Sequence, residues 1–420
     1  MKSVNYALKS KLVASFIVLM LSVPSVFATD GYFGVGYDTK SIGMGGAGVA
    51  LFQNSFFGIN NPAAMVMHGN KYGLNLGLFN PNREYTISGA PSGYPETFGL
   101  APGTVESDSK YFPMPSLAMN RMVGENSSIG VSVYGNGGMN TNYPTNTFWG
   151  SSETTGVNLM QMFGALSFSQ KMGEKWSVGL SGILAWQSVE ITGLQAFSSM
   201  SQDAASLTDN GANGAIGFGG KIGIQGELAK GLFFGATFQS RIYMNEFDDY
   251  SGLFAESGSF DIPANWTAGL AYMLIPNKLT VAFDVKQIYY SKVNSIGNPM
   301  NFMAPMGSET GSGFGWNDMT IYKLGLEFAA NEDWTLRTGF SYGNNPIRST
   351  DVMFNILAPG VVENHLTFGF SKKMGTKEVN VALVRAFSNT VSGPNPMEAP
   401  GAQTIDISMN QWELEIGITF

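Results

Sequence analysis

The sequence predicts an all-β protein, a 14-stranded antiparallel transmembrane β-barrel plugged by an N-terminal hatch. Three observations carry that expectation. Charged residues are only 13% of the chain, while glycine is 53 of 420 residues and aromatics reach 13%; ordinary soluble domains are about 25% charged. Beyond the N-terminus no segment has the unbroken apolar run of a spanning helix, which leaves a closed barrel as the lipid-compatible alternative. Several segments alternate apolar and polar residues with period 2, as a wall between lipid and a wet lumen requires.

The chain opens with an export signal. Lys2, Lys9 and Lys11 precede the apolar stretch Leu12–Leu21, and small residues end at Ala28, the three parts of a secretory signal peptide cleaved near Ala28/Thr29. Residues 1–28 contain three lysines and no acid, so processing takes the formal charge from −8 to −11. An acidic chain disfavours nucleic acid as a partner. With no cysteine, the exported chain has no disulfides to hold it together.

Residues 29–68 are Gly-rich and show no clean period. Within them "GMGGAGVA" spells G-x-G-x-x-G through Gly43, Gly45 and Gly48. A dinucleotide turn needs a buried strand before the glycines, a helix after them and an acid about 20 residues on. The preceding "TDGYFGVGYDTK" is polar and Gly-broken, and the next acid is Glu84, so a nucleotide site is not expected. The segment is too apolar for a solvated tail. Its glycines suit a plug that packs backbone against inward-facing side chains.

Residues 69–420 read as the barrel. Wall segments are expected to begin near Lys71, Ser116, Ser127, Val157, Trp176, Ala215, Leu232, Asn265, Lys278, Met319, Trp334, Asn364, Lys377 and Thr404, with short turns such as "MGEK", "IPNK" and "MGTK" alternating with long loops. Short turns belong to the periplasmic side and long loops to the outside. In "QWELEIGITF", Trp412, Leu414, Ile416, Ile418 and Phe420 share one face and Glu413 and Glu415 the other. Residues 404–411 break that polarity, which predicts a bulge there or a strand rising above the membrane.

The chain resembles the FadL-type family of outer-membrane channels for hydrophobic molecules. The resemblance rests on "GMGGAGVA", on "NNPA" (Asn60–Ala63), on "IPANWTAGLAY" with "KLTVAFDVK", and above all on "WNDMTIYKLGLEFAANEDWTLRTGFSYGNNPI" (Trp316–Ile347). It implies outer-membrane localisation in a Gram-negative cell and a hydrophobic cargo, typically a long-chain fatty acid. Cargo would be captured among outer loops, passed to a lumen pocket, and released sideways when the hatch and a kinked third strand move. The hatch residues carried over are Gly43, Gly45, Gly46, Gly48, Asn61, Pro62 and Ala63. Gly135, Gly137 and Gly138 could supply the kink or simply form a loop entry. The terminal Phe420 is similar to the aromatic end that barrels present to their assembly machinery.

Candidate cargo contacts follow from exposed apolar chemistry on outer loops. They are Leu194, Phe197, Met200 and Leu207 in the third long loop, and Phe247, Leu253, Phe254 and Phe260 in the fourth; packing of the loops on one another explains the same residues. A carboxylate head group needs a cation, and Lys323 and Arg337 are expected to face inward. Asp284, Asp318 or Glu327 could instead neutralise them. Uptake of aromatic hydrocarbons is the alternative cargo, and an open porin for polar solutes the alternative transport mode. An outer-membrane hydrolase is disfavoured because only His68 and His365 are present, neither beside a nucleophile pattern. No metal or cofactor is expected, and a lipid-embedded monomer is.

Overall fold

The computed structural model describes residues 30–51, 57–150 and 153–420; the predicted signal peptide lies outside them. One antiparallel sheet closes on itself. Fourteen strands form its wall: β1 (Lys71–Gly89), β2 (Phe112–Met122), β3 (Ser127–Asn142), β4 (Gly156–Met172), β5 (Trp176–Thr192), β6 (Asn213–Ala229), β7 (Leu232–Gln239), β8 (Asn265–Ile275), β9 (Leu279–Ile288), β10 (Met319–Ala329), β11 (Trp334–Gly343), β12 (Asn364–Met374), β13 (Lys377–Pro394) and β14 (Gln403–Thr419). Two further short strands, Gly103–Glu106 and Tyr243–Met244, belong to outer loops. Closure is made by β14 against β1, from Gly73 opposite Thr419 to Gly89 opposite Gln403. The last residue takes part: Tyr72 and Phe420 exchange both backbone hydrogen bonds, at 2.8 and 2.9 Å, and their rings stack.

The sequence-predicted strand starts fall within four residues of the observed ones, the largest displacement being Phe112 for Ser116. Outward side chains make the lipid face. On β1 these are Leu74, Leu76 and Leu78, all exposed; on β14 they are Trp412, Leu414 and Ile416. Opposite that face, Asp284, Lys286, Lys323, Arg337, Glu413 and Glu415 point into the bore and are buried, as their desolvation in lipid would require.

Higher on the same strands the polarity inverts while the alternation continues. On β14, Ile405, Ile407 and Met409 are buried inside and Asp406, Ser408 and Asn410 face outward; on β1, Tyr85 and Ile87 are inside and Glu84 and Thr86 outside. Residues 404–411 therefore hold their parity without a bulge, and the pairing of β14 with β1 runs unbroken. The register slip sits on the neighbouring strand, between Ala386 and Asn389 of β13. The reason for the inversion is solvent: above the membrane the outer face meets water, and the inner face meets an apolar core built by the loops. That core contains Phe148, Phe197, Phe247, Phe260, Tyr290, Trp316 and Phe354.

The inversion places the upper membrane boundary between Leu78 and Glu84. Leu76→Arg should cost about 2–4 kcal/mol, and Thr86→Arg, outward on the same strand but above the boundary, about 0–1 kcal/mol. Denaturant unfolding of the protein in phospholipid bilayers checks the contrast; equal costs would misplace the boundary.

Candidate functional site in the plugged bore and at a window in the wall

The segments 30–51 and 57–67 lie inside the barrel, and the Gly-rich motif shows why. Gly45 and Gly46 have φ of +68° and +78°, where a side chain is strained. A Cβ on either would also meet backbone, that of Phe340 for Gly45 and the Val35 carbonyl for Gly46. Plug glycines face wall glycines: Gly43 packs on Gly369, and Met44 fills the space over Gly325 and Gly339. The N–H groups of Gly48 and Val49 donate to one carboxylate oxygen of Asp284 at 2.7 and 2.9 Å, and Gly45 N donates to Thr367 Oγ1 at 2.8 Å. The motif does cradle an anion, but the anion belongs to the barrel wall.

"NNPA" docks on the opposite side of the bore. Asn61 caps a short 3₁₀ helix, Pro62–Met67, accepting from Ala63 N with Oδ1 at 3.1 Å; Pro62 at its first position has no N–H to satisfy. The Asn61 amide donates to Val49 O at 2.9 Å and to Ile224 O on β6 at 3.1 Å. Ala63 O accepts from Ser169 of β4 and Ser177 of β5 at 2.9 and 2.7 Å. Three wall strands thus hold one turn of the plug.

The start of the plug is fastened by charge. Asp30, buried, receives Lys323 at 2.9 Å and Lys286 at 3.2 Å, and Lys323 also donates to Val35 O at 2.6 Å. Farther along, Lys40 pairs with Glu378 and Thr39 donates to Glu415 at 2.6 Å. Of the two cations expected for a head group, Lys323 is engaged by the plug. Arg337 is engaged by the wall, through Glu327 at 2.8 Å and Ser371 at 2.5 Å. Asp284 and Glu327 are wall or plug partners, while the Asp318 carboxylate accepts a loop N–H, that of Ser291.

The wall has a window between β2 and β3. Their ladder covers Leu117–Met122 against Ser128–Val133 and stops there, although β2 continues to Phe112 beside β1 and β3 to Asn142 beside β4. The unpaired stretch of β2 lies level with Leu76 and Leu78, which face lipid. Its sequence is "FPMPS": alternation puts the missing N–H groups of Pro113 and Pro115 on one edge, and the intact ladder to β1 assigns that edge to the window. The signal was present in the sequence, and starting the strand at Ser116 passed over it.

On the other side of the window, Gly135, Gly137 and Gly138 lie within β3 and not at its end. The register to β4 shifts between Gly135 and Gly137, leaving Asn136 as the extra residue of a bulge. Plug residues take the place of β2 here: Gly34 N donates to Asn136 O at 3.3 Å, Gly138 N to Tyr32 O at 3.2 Å, and Phe33 bridges to Gly137. A Cβ on Gly137 would strike the Tyr32 carbonyl. Asn136 is pinned by Tyr37 Oη at 3.0 Å and Gln161 at 2.9 Å. Above, Ser107 and Asp108 bond to Asn142 at 3.0 and 2.8 Å and close the top of the window.

The loop candidates are packed together. Leu194, Phe197, Leu207, Phe247 and Phe260 are at most 1% exposed, Leu253 and Phe254 are buried too, and Met200 is half-buried. Phe197 contacts the rings of Phe98, Phe148 and Phe354, with centroids 5.2–5.5 Å apart; Phe254 and Phe260 meet edge to face at 4.9 Å. The apolar side chains that do reach solvent were not singled out by sequence: Trp149, stacked on Phe98 at 4.8 Å, with Tyr94, Tyr111, Tyr243 and Met303. Cavities among the described residues include one of about 50 Å³ between the plug and β6–β10, polar and reached by Lys221, Lys286, Lys323 and Asp284, and one of about 20 Å³ between Tyr32, Trp316, Met139, Met409 and Arg83 that touches Gly138 at the window.

His365 is buried opposite Ser341, whose Oγ lies 3.3 Å from Nδ1, a pair that the sequence reading did not see because it forms across two strands. It sits within the bore, away from the outer rim where a hydrolase of this class would work. Among the described residues no group of three or more His, Asp or Glu could hold a metal ion.

These features define a plugged transmembrane barrel with a side window. The profile of the outer membrane transport protein family (OMPP1/FadL/TodX) matches residues 36–360, and the chain belongs to that family. Similar solved structures include the Pseudomonas putida toluene transporter TodX (18% identity, TM-score 0.65, covering 91% of this chain and 98% of that one). A Pseudomonas aeruginosa FadL homologue matches at 15% identity and TM-score 0.69 (93% and 99%), and the Ralstonia pickettii toluene transporter TbuX at 17% and 0.62 (91% and 98%). At these identities they share the fold. No curated protein matches the chain.

Burial alone would raise the pKa of Asp30, but Lys323 and Lys286 outweigh it and hold the carboxyl below the ordinary value of 3.8. A depressed carboxylate contributes stability above its unfolded pKa and loses it as pH falls through the folded value. Plug docking is expected to persist at about pH 5 and to weaken only below the unfolded aspartate value near 3.9. Asp30→Asn leaves two buried lysines without their anion, a cost of about 3–5 kcal/mol. Planar-bilayer recordings should show more frequent openings for the variant; an equally quiet channel would show that Asp30 does not hold the plug.

Proposed function

We propose that this protein takes up hydrophobic molecules across the outer membrane, long-chain fatty acids foremost, and releases them sideways into the bilayer. Cargo is captured at the outer loops, where Leu194, Phe197, Met200, Leu207, Phe247, Leu253, Phe254 and Phe260 become available as the loops part. It then passes to the lumen and leaves between β2 and β3 when the hatch withdraws Tyr32–Gly34 from the bulge. The hatch is residues 29–68 after removal of the signal peptide 1–28, and the barrel is residues 69–420. One observation carries the reading: the window at lipid depth is backed by the plug's own leading residues instead of a wall strand. Plug movement and wall opening are then one event.

Energetics support capture and release. Burial of a methylene is worth about 0.8 kcal/mol, so a dozen would give on the order of 10 kcal/mol. Release from so favourable a site needs a conformational equilibrium that differs between states, which the plug's polar and ionic contacts with the wall supply. Gly43, Gly45, Gly46, Gly48, Asn61, Pro62 and Ala63 set the docked state, and Gly135, Gly137 and Gly138 give β3 its break. Aromatic hydrocarbons are the alternative cargo, supported by similar channels named as toluene transporters. Phe420, half-exposed at the closing seam, suits recognition by the assembly machinery.

The cysteine-free sequence makes the route testable. With Pro115→Cys and Gly135→Cys bridged by a short bis-maleimide across the window, uptake of radiolabelled hexadecanoate or toluene into proteoliposomes should fall to the protein-free level, while either single variant transports after the same treatment. Undiminished uptake through the bridged protein would remove the lateral route. Swelling of the liposomes in sugar solutions would favour a porin instead.

A further inference from the structure

A polar groove crosses the outside of the barrel at the upper membrane boundary, over the closing seam. Its volume is about 200 Å³, and it is bounded by Ser388 of β13, Asn410 of β14, Asn82 and Glu84 of β1, and Glu106 and Lys110 beyond them. Strand register puts these residues together. Glu84 stands opposite Ser408 of β14 on one side and Glu106 on the other, and the Asn80 amide donates to Lys110 O at 2.7 Å. Lys110 pairs with Glu106 at 3.1 Å at the far end of the groove.

The lower edge of the groove carries a cation on the outer surface. Arg385 of β13 stands between the buried Val384 and Ala386 and faces outward like Leu383. Its guanidinium lies 4.9 Å over the ring of Trp412, its direct neighbour on β14, and its Nη1 donates to Asn410 Oδ1 at 2.8 Å and to Gln411 O at 3.3 Å. These contacts orient the fork and leave Nε and Nη2 uncommitted. Among the described residues no carboxylate forms an ion pair with Arg385. Below it the wall meets lipid, with Leu78, Leu383 and Leu414 exposed.

Depth and chemistry together define the occupant. An arginine is tolerated here because its stem lies along the apolar wall while its head reaches the boundary. Its planar fork matches a phosphate through parallel hydrogen bonds. The amides, hydroxyls and carboxylates above it are groups that pair with sugar hydroxyls, and the leucines below it accept acyl chains. Glu84 and Glu106, directly opposed across the ladder, weigh against a bare anionic head group. The outer leaflet of a Gram-negative outer membrane is built of a phosphorylated glycolipid, which presents sugar, phosphate and acyl chains in this order.

We propose that this groove binds one phosphorylated glycolipid of the outer leaflet, with Arg385 on a phosphate, Asn82, Asn410 and Glu84 on the saccharide, and acyl chains along Leu383 and Leu414. The site lies on the outside of the wall, apart from the cargo route, and stands independently of the uptake reading. A phospholipid offers the phosphate and the chains without the saccharide, and gains less from the groove.

The full chain, folded in detergent, is titrated with three probes and read by native mass spectrometry. The probes are a rough lipopolysaccharide carrying its lipid A phosphates and inner-core sugars, the same glycolipid dephosphorylated, and dioleoylphosphatidylglycerol. One molecule of the intact glycolipid should bind, about tenfold or more tighter than either other probe, the range for a hydrogen bond to a charged group. Arg385→Gln should remove most of the preference for the phosphorylated form and leave binding of the dephosphorylated one unchanged, while Arg385→Lys keeps part of the preference. Asn410→Ala, which releases the guanidinium from its support, should lower the affinity in the same direction and provides the readout should Arg385→Gln fail to fold, as judged by heat-modifiable gel mobility. Equal binding of the three probes by the wild-type protein, or tighter binding of phosphatidylglycerol, would overturn the proposal. So would an unchanged affinity for the intact glycolipid in the folded variants.

Discussion

The structure depends on one constraint: in lipid, a backbone N–H or C=O has no water to turn to. Closure of β14 onto β1, down to the paired amides of Tyr72 and Phe420, is the direct answer for most of the wall. The window between β2 and β3 is where the answer differs. There one edge carries Pro113 and Pro115, which have fewer donors to satisfy, and the other is completed by Tyr32 and Gly34 of the plug. A ladder that elsewhere is permanent is, at this place, shared with a segment that is not part of the wall.

The same constraint explains how the plug is held. A Gly-rich segment without regular pairing of its own must satisfy its backbone against the inward faces of the strands, and the wall provides carboxylates, hydroxyls and amides for it. Asp284 takes two plug N–H groups, Thr367 one, and Ser169 and Ser177 share the Ala63 carbonyl. Glycines on both sides bring the two backbones close enough for such bonds. The fastening is polar and buried, so it is strong when complete and costly when one partner is missing.

Much of the barrel was legible in sequence because its period is exposed to a uniform solvent. Lipid sets Leu74, Leu76 and Leu78 against inward partners as regularly as it does Trp412, Leu414 and Ile416, and the strand starts followed within a few residues. Above the membrane the two faces exchange environments. The polarity of residues 404–411 therefore broke, and a rising strand explained it where a local bulge did not. The loop residues Phe197 and Phe260 were visible as apolar residues on outer loops, but sequence alone left open whether they cover one another or a ligand; the structure packs them together as it stands.

The amino-acid sequence by itself determined the architecture: an acidic, cysteine-free chain with period-2 walls, short and long connections in alternation, and a glycine-rich leader that could not be a nucleotide turn. Those properties are local, written in composition and spacing. Tertiary structure alone decided which charges are spoken for. Asp30 finds Lys286 and Lys323 across more than 250 residues of chain, Ser341 meets His365 only through strand register, and Arg83 is buried with no ion pair among the described residues. Charge pairing in a barrel lumen depends on where the curved wall and the inserted plug bring side chains together. That is a property of closure, and no spacing along the chain encodes it.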